Sequence, residues 1–143
     1  MTAKDTQQLE NELTKADDVK TFLDNNAENF RKYTLAEYLN RLLEDKNLSK
    51  SQIIRESQLD EGYAYHIFGG RKNPSREKIL SLALAMKLSP KETDYLLYYA
   101  GHNKLYARDE RDAVIIFALE TCKSVLQANE LLEDLNMPPL ICE

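Results

Sequence analysis

Residues 48–74 read LSKSQIIRESQLDEGYAYHIFGGRKNP. Ser49 followed three residues on by Gln52 is a pair suited to a helix start, where each side chain can satisfy a backbone amide that has no partner within the helix. Ile53 and Ile54 follow as a short apolar face. Asp60 then caps a second helix whose face is Ala64, Ile67 and Phe68, and Gly69 with Gly70 ends it. Pro74 cannot continue that helix, and Ser75 caps the next. The stretch therefore predicts two short helices joined by a tight turn and followed closely by a third.

The same punctuation runs outward from it. Thr34 with Glu37, Ser89 with Glu92 and Ser124 with Gln127 repeat the capping pair, and Pro90 adds a favourable first-turn proline. Between caps the apolar spacing is helical, each run with one face to bury: Leu35, Tyr38, Leu39, Leu42, Leu43; Ile79, Leu82, Ala83, Met86; Leu96, Leu97, Ala100. Gly101 is expected to stop the fifth helix in the left-handed conformation. Thr34 to Gly101 is thus a five-helix domain in an all-α chain.

Residues 1–33 form a helical extension with a loose start. Leu9, Leu13, Val19, Phe22, Leu23 and Phe30 line one amphipathic helix or two, with Asn25 and Asn26 interrupting. Residues 102–143 carry AVIIFAL (113–119), apolar all round, which predicts a helix covered on several sides. A last helix from Ser124 bears Val125, Leu126, Ala128, Leu131, Leu132 and Leu135 before Pro138 and Pro139. These two helices make a hairpin that either wraps the five-helix domain or forms a dimer interface.

The 143 residues suit one compact domain with extensions, and four Gly and four Pro are too few for a loop-rich β fold. Net charge is −5 but unevenly spread, running −4, +3 and −4 over residues 1–45, 46–78 and 79–143. A basic island in an acidic chain would hold nucleic acid at one place only. Cys122 and Cys142 are too few for a disulfide framework and have no metal-ligand spacing, so they are expected to be buried or idle reduced thiols, with no metal and no cofactor. No apolar leader and no run of the ~20 apolar residues that span a bilayer is present, which points to a cytoplasmic protein without a membrane. No Gly-rich phosphate loop and no nucleophile with a recognisable base argues for an enzyme.

Leu48, Ser49 and Lys50; Ile53 and Ile54; Gln58, Leu59 and Asp60; Ala64 and Tyr65; Gly69 and Gly70; and Arg71 to Ser75 follow, without a gap, the order of the lambda-repressor-like, Cro-type helix-turn-helix family, often labelled XRE. The chain resembles that family from Thr34 to Gly101. The resemblance implies a DNA-binding transcriptional regulator acting as a homodimer on double-stranded DNA. Its second helix would span about 49–57, and its recognition helix, about 61–69, would lie in the major groove. Carried over by position, Glu61, Gly62, Tyr63 and His66 face bases, while Lys50, Ser51, Arg71, Lys72, Asn73 and Arg76 contact phosphates. The base-facing set lacks the Arg, Asn or Gln that make bidentate base contacts, and phosphate contacts carry no sequence information. Selection of bases is therefore expected to be weak.

Three departures from the family pattern can be read physically. The small residue of the second helix and the large one of the third have traded places as Ile54 and Ala64, a volume-conserving exchange that predicts contact between them. Gln58 stands where the family turn uses Gly at positive φ, at a cost on the order of 1 kcal/mol, which predicts a turn reshaped by a residue. Lys50 replaces the Gln that opens the second helix and keeps only a point charge for a phosphate. A rival reading makes the fold a protein-interaction module in which Tyr63, Tyr65, His66 and Phe68 meet a protein partner. It is favoured by the acidic residues Asp60 and Glu61 at the start of the reading helix. Tyr95, Tyr98, Tyr99 and Tyr106 read as core and interface, and His102 as a surface residue.

Overall fold

The computed structural model describes residues 6–15, 18–25 and 33–140, and among them the only regular elements are helices. In chain order these are α1 (Thr6–Lys15), α2 (Val19–Asn25), α3 (Leu35–Asp45), α4 (Lys50–Glu56), α5 (Glu61–Phe68), α6 (Arg76–Ala85), α7 (Pro90–Ala100), α8 (Glu110–Glu120) and α9 (Val125–Asp134). None of the described helices is long and apolar enough to cross a membrane. The chain divides into two compact units, Met1–Lys32 and Tyr33–Glu143.

In the first unit α1 buries no residue, and α2 opens where Asp18 accepts from the Lys20 amide and the Thr21 hydroxyl. Phe22 is buried in α2, while Leu13, Val19 and Leu23 are exposed. Phe30, read as part of the extension's apolar face, lies outside the described residues.

In the second unit each predicted cap is made. Thr34, Ser89 and Ser124 form reciprocal boxes with Glu37, Glu92 and Gln127. Ser49 accepts from the Gln52 amide, but the Gln52 side chain donates to Glu56 one turn on, so that box is half made. Asp60 and Ser75 accept from the amides of Tyr63 and Lys78.

Helix ends are closed by left-handed residues. Gly101 takes the expected φ of 80°, and of the Gly69–Gly70 pair only Gly70 is left-handed, at 78°. With so few glycines in the chain, Asn47, Lys87, Cys122 and Asn136 take the same conformation elsewhere. After each of these four, the next amide reaches back to a carbonyl in the last helical turn: Leu48 to Leu43, Leu88 to Ala83, Lys123 to Ala118 and Met137 to Leu132. Cys122 is an exposed free thiol, and Cys142 lies outside the described residues.

One core joins α3 to α9. Its centre is α6, in which every residue from Ile79 to Ala85 is buried. The sequence assigned α6 a single face of Ile79, Leu82, Ala83 and Met86. Leu80, Ser81, Leu84 and Ala85 are buried as well because α8 and α9 pack on α6 in addition to α4 and α7. Conversely, the AVIIFAL run of α8 is not covered all round: Ile115, Ala118 and Leu119 are buried, Val114 and Ile116 half-buried, and Phe117 is 52% exposed. The hairpin thus lays its inner face on α6 and α7. Tyr38 is buried and stacks on Tyr99 at 4.4 Å between centroids, and burial pushes its phenol above the ordinary tyrosine range.

Two arginines fasten the hairpin. Arg76 of α6 donates through Nη1 and Nη2 to both carboxylate oxygens of Asp112 at 2.9 and 2.8 Å, and Arg111 of α8 donates likewise to Glu77 at 2.8 and 2.6 Å. Adjacent residues of opposite charge at the start of α6 therefore meet adjacent residues of opposite charge at the start of α8. The spare donors bind backbone: Arg76 to the carbonyls of Asn103 and Lys104, Arg111 to those of Pro138 and Pro139. Asn129 holds the Leu140 amide and carbonyl, so the tail stays against α9.

Burial alone would raise the Asp112 carboxyl, but the Arg76 guanidinium and the Tyr106 amide outweigh it and hold the group below the ordinary carboxylate value. A carboxyl depressed on folding contributes stability that is present above its unfolded pKa of about 4 and lost as pH falls through the lower folded value. Acid titration of the unfolding midpoint is therefore expected to show a loss below about pH 4 that is smaller in Asp112→Asn. Equal pH dependence of the two proteins would count against this assignment.

Candidate functional site

The α4–turn–α5 segment is built around a buried serine. The Ser57 hydroxyl, 0% exposed, donates to the Ile54 carbonyl at 2.6 Å and accepts from the Leu59 amide at 3.2 Å. Between them Gln58 takes φ 65°. The turn is not reshaped, contrary to the expectation from Gln58. Its left-handed residue is kept, with Gln58 absorbing a strain of about 1 kcal/mol that burial of Leu59, about 1.5–3 kcal/mol, exceeds. Replacing Gln58 by Gly is expected to raise stability by up to about 1 kcal/mol in denaturant unfolding, the relief being partly offset by the greater freedom of the unfolded chain. A lower midpoint would mean that the Gln58 side chain makes a contact worth more than the strain. Ile54 and Ala64 are both buried in the one core.

On α5, Glu61 and Gly62 are exposed, and Tyr63 and His66 are half-buried. Tyr65, not in the base-facing set, is 43% exposed. Ala64, Ile67 and Phe68 form the buried side. The end of α5 is fixed from two directions. Asn40 of α3 donates to the Phe68 carbonyl at 2.9 Å, and the Arg71 amide donates to the His66 carbonyl at 2.8 Å. The loop that follows exposes Arg71, Lys72 and Asn73 and buries Pro74.

His102 is not a free surface residue. It is half-buried, and its Nε2 donates to the Pro74 carbonyl at 2.9 Å, tying the basic loop to the segment after α7.

Among the described residues, Arg71 and Lys72 have no ion-pair partner. Lys50 has none either, and its ammonium lies over the Phe68 ring at 5.5 Å. Ser51 is exposed beside it, with its hydroxyl 3.2 Å from that of Ser49. Arg76 differs from these. Each nitrogen of its guanidinium is engaged by Asp112, Asn103 or Lys104, so it is a fastening residue and is not available to a phosphate.

No family model matches the chain, and no curated protein or solved structure matches it. The site therefore rests on its own geometry. That geometry adds a residue absent from the sequence-derived set: Lys78 of α6, whose ammonium sits 4.2 Å from the Tyr63 ring centroid. The signal for it was its place in the basic block 46–78, but only packing brings it to α5. Of the four tyrosines read as core and interface, Tyr95 and Tyr99 pack on the core, whereas Tyr98 and Tyr106 are 48% and 59% exposed.

Proposed function

We propose that the chain is a DNA-binding transcriptional regulator in which α4 and α5 form a helix-turn-helix of the lambda-repressor-like kind, α5 entering the major groove of duplex DNA. The observation that carries the reading is the combination of an exposed α5 face with the unpaired cations Lys50, Arg71 and Lys72 at its C-terminal end. Cations clustered near one helix end, with no ion-pair partner among the described residues, in an otherwise acidic chain are what a phosphate backbone selects. Lys50, Ser51, Arg71, Lys72 and Asn73 fix register on the backbone. Glu61, Gly62, Tyr63 and His66 offer few discriminating contacts, so sequence selection is weak.

As a homodimer the protein would use the outer faces of α8 and α9, where Phe117, Leu126 and Leu135 are exposed, since the inner faces belong to the core. A cytoplasmic location accords with this function. The second reading, a protein-interaction module, is favoured by Tyr65, an exposed aromatic on the same helix as the acidic Asp60 and Glu61.

Fluorescence anisotropy with a pool of random-sequence duplexes at two salt concentrations, followed by selection and sequencing of the bound fraction, separates the two. Salt-sensitive binding that enriches a two-fold motif supports the regulator. Absence of binding at low salt overturns it in favour of a protein partner.

A further inference from the structure

Asp60 and Glu61 put two carboxylates at the N-terminal end of α5, the end that in the proposed reading enters the groove between the phosphate strands. The other cations belong to the opposite end of the helix: the Lys50 ammonium lies over the Phe68 ring, and Arg71 and Lys72 follow the C-terminal glycines, the Arg71 amide bound to the His66 carbonyl. Lys78 is the cation that meets α5 in its first turn. Its ammonium lies over the Tyr63 ring at 4.2 Å, and among the described residues it has no ion-pair partner, being paired with neither Asp60 nor Glu61. An aromatic face holds an ammonium in place without neutralising it, whereas a carboxylate partner would cancel its charge toward a phosphate. Tyr63 is itself half-buried and packed against the core, so its ring is a fixed support. The neighbouring Arg76 is spent on Asp112, which leaves Lys78 as the cation that the start of α6 offers to a ligand.

We infer that Lys78 is a phosphate-contacting residue at the acidic end of α5, and that Tyr63 is its positioning residue and not a reader of bases. The assignment rests on the DNA-binding reading above and sharpens it. A cation at each end of α5 brackets the helix, and Lys78, held over Tyr63 in the first turn, counters the negative charge that Asp60 and Glu61 bring to that end. Tyr63, with its ring under Lys78 and its edge in the core, leaves base contact to Glu61, Gly62 and His66.

Full-length wild-type protein, Lys78→Met, Lys78→Arg, Tyr63→Phe and Tyr63→Leu are compared by anisotropy on the selected duplex across a salt series, with thermal midpoints measured alongside. Each phosphate contact contributes about 0.9 to the slope of log affinity against log salt. Lys78→Met is expected to lower that slope by about one contact's worth and weaken binding roughly tenfold, and Lys78→Arg to restore both. Tyr63→Phe keeps the ring and is expected to retain the salt slope that Tyr63→Leu loses. Tyr63→Leu should weaken binding no further when combined with Lys78→Met, and should enrich the same duplex motif as wild type. A wild-type slope in Lys78→Met, while wild type itself binds in a salt-sensitive way, overturns the assignment alone. A changed motif in Tyr63→Leu overturns the positioning role, because a residue that only seats a lysine alters no base preference. A wild-type chain that binds no duplex overturns both this assignment and the DNA-binding reading on which it rests.

Discussion

Replacing Asp112 by alanine is expected to lower the unfolding free energy by about 3 kcal/mol, the low end of the range for breaking a buried ion pair by removing one partner. The low end applies because the Arg76 side chain is 26% exposed and keeps the carbonyls of Asn103 and Lys104, whereas the Asp112 side chain is 9% exposed. The loss has three parts. Arg76 is left as a partly buried cation, the Tyr106 amide loses its acceptor, and α8 keeps only the Arg111–Glu77 pair of its two fastenings to α6. Replacing both partners, as Arg76→Met with Asp112→Leu, is expected to cost less than Asp112→Ala alone, since no charge is then stranded. Urea unfolding monitored by circular dichroism measures both. A loss below about 0.5 kcal/mol in Asp112→Ala would place the pair among surface ion pairs and remove the reason for treating it as the fastening of the hairpin.

The double reversal Arg71→Glu with Lys72→Glu is expected to weaken duplex binding by roughly 100-fold or more. Two charge-assisted phosphate contacts at about 1.5 kcal/mol each account for about that factor, and the added repulsion extends it. The fold is expected to be unaffected, because both side chains are exposed and have no ion-pair partner among the described residues. The thermal midpoint is therefore the control: binding lost at an unchanged midpoint locates the grip in the loop after α5. Binding retained at wild-type strength would move the site elsewhere on the molecule. Reversing Arg76 is not an equivalent test, since Arg76→Glu faces Asp112 and disrupts the fastening of α8, so loss of binding in that variant would report on stability.

Much of this architecture was legible because the determining interactions are short in sequence. A Ser, Thr or Asp three residues before an amide donor makes its bond whatever the rest of the chain does, and Thr34, Ser49, Asp60, Ser75, Ser89 and Ser124 all cap as expected. A local rival changes the outcome at Gln52, whose side chain donates to Glu56 one turn on and does not return to the cap. The turn at Gln58 departs from the local expectation for a related reason. The cost of positive φ is visible in one residue, but the compensation comes from Ser57 and Leu59 being buried, and burial is a property of the folded chain.

The candidate site divides the same way. By itself the sequence determined the all-α class, where α3 to α7 and α9 start, and that the positive charge is concentrated between residues 46 and 78, because propensity, capping and composition act over a few residues. Which of those charges remain available was decided by tertiary structure alone. Arg76 and Asp112 are 36 residues apart, and nothing in their spacing distinguishes Arg76 from Arg71. Packing α8 on α6 consumes the first and leaves the second exposed, and the same packing turns an α6 read as one-faced into the centre of the core. Lys78 meets Tyr63, and His102 meets Pro74, for the same physical reason: a side chain's partner is set by which helices share a buried face, and that is a long-range outcome of satisfying every apolar face at once.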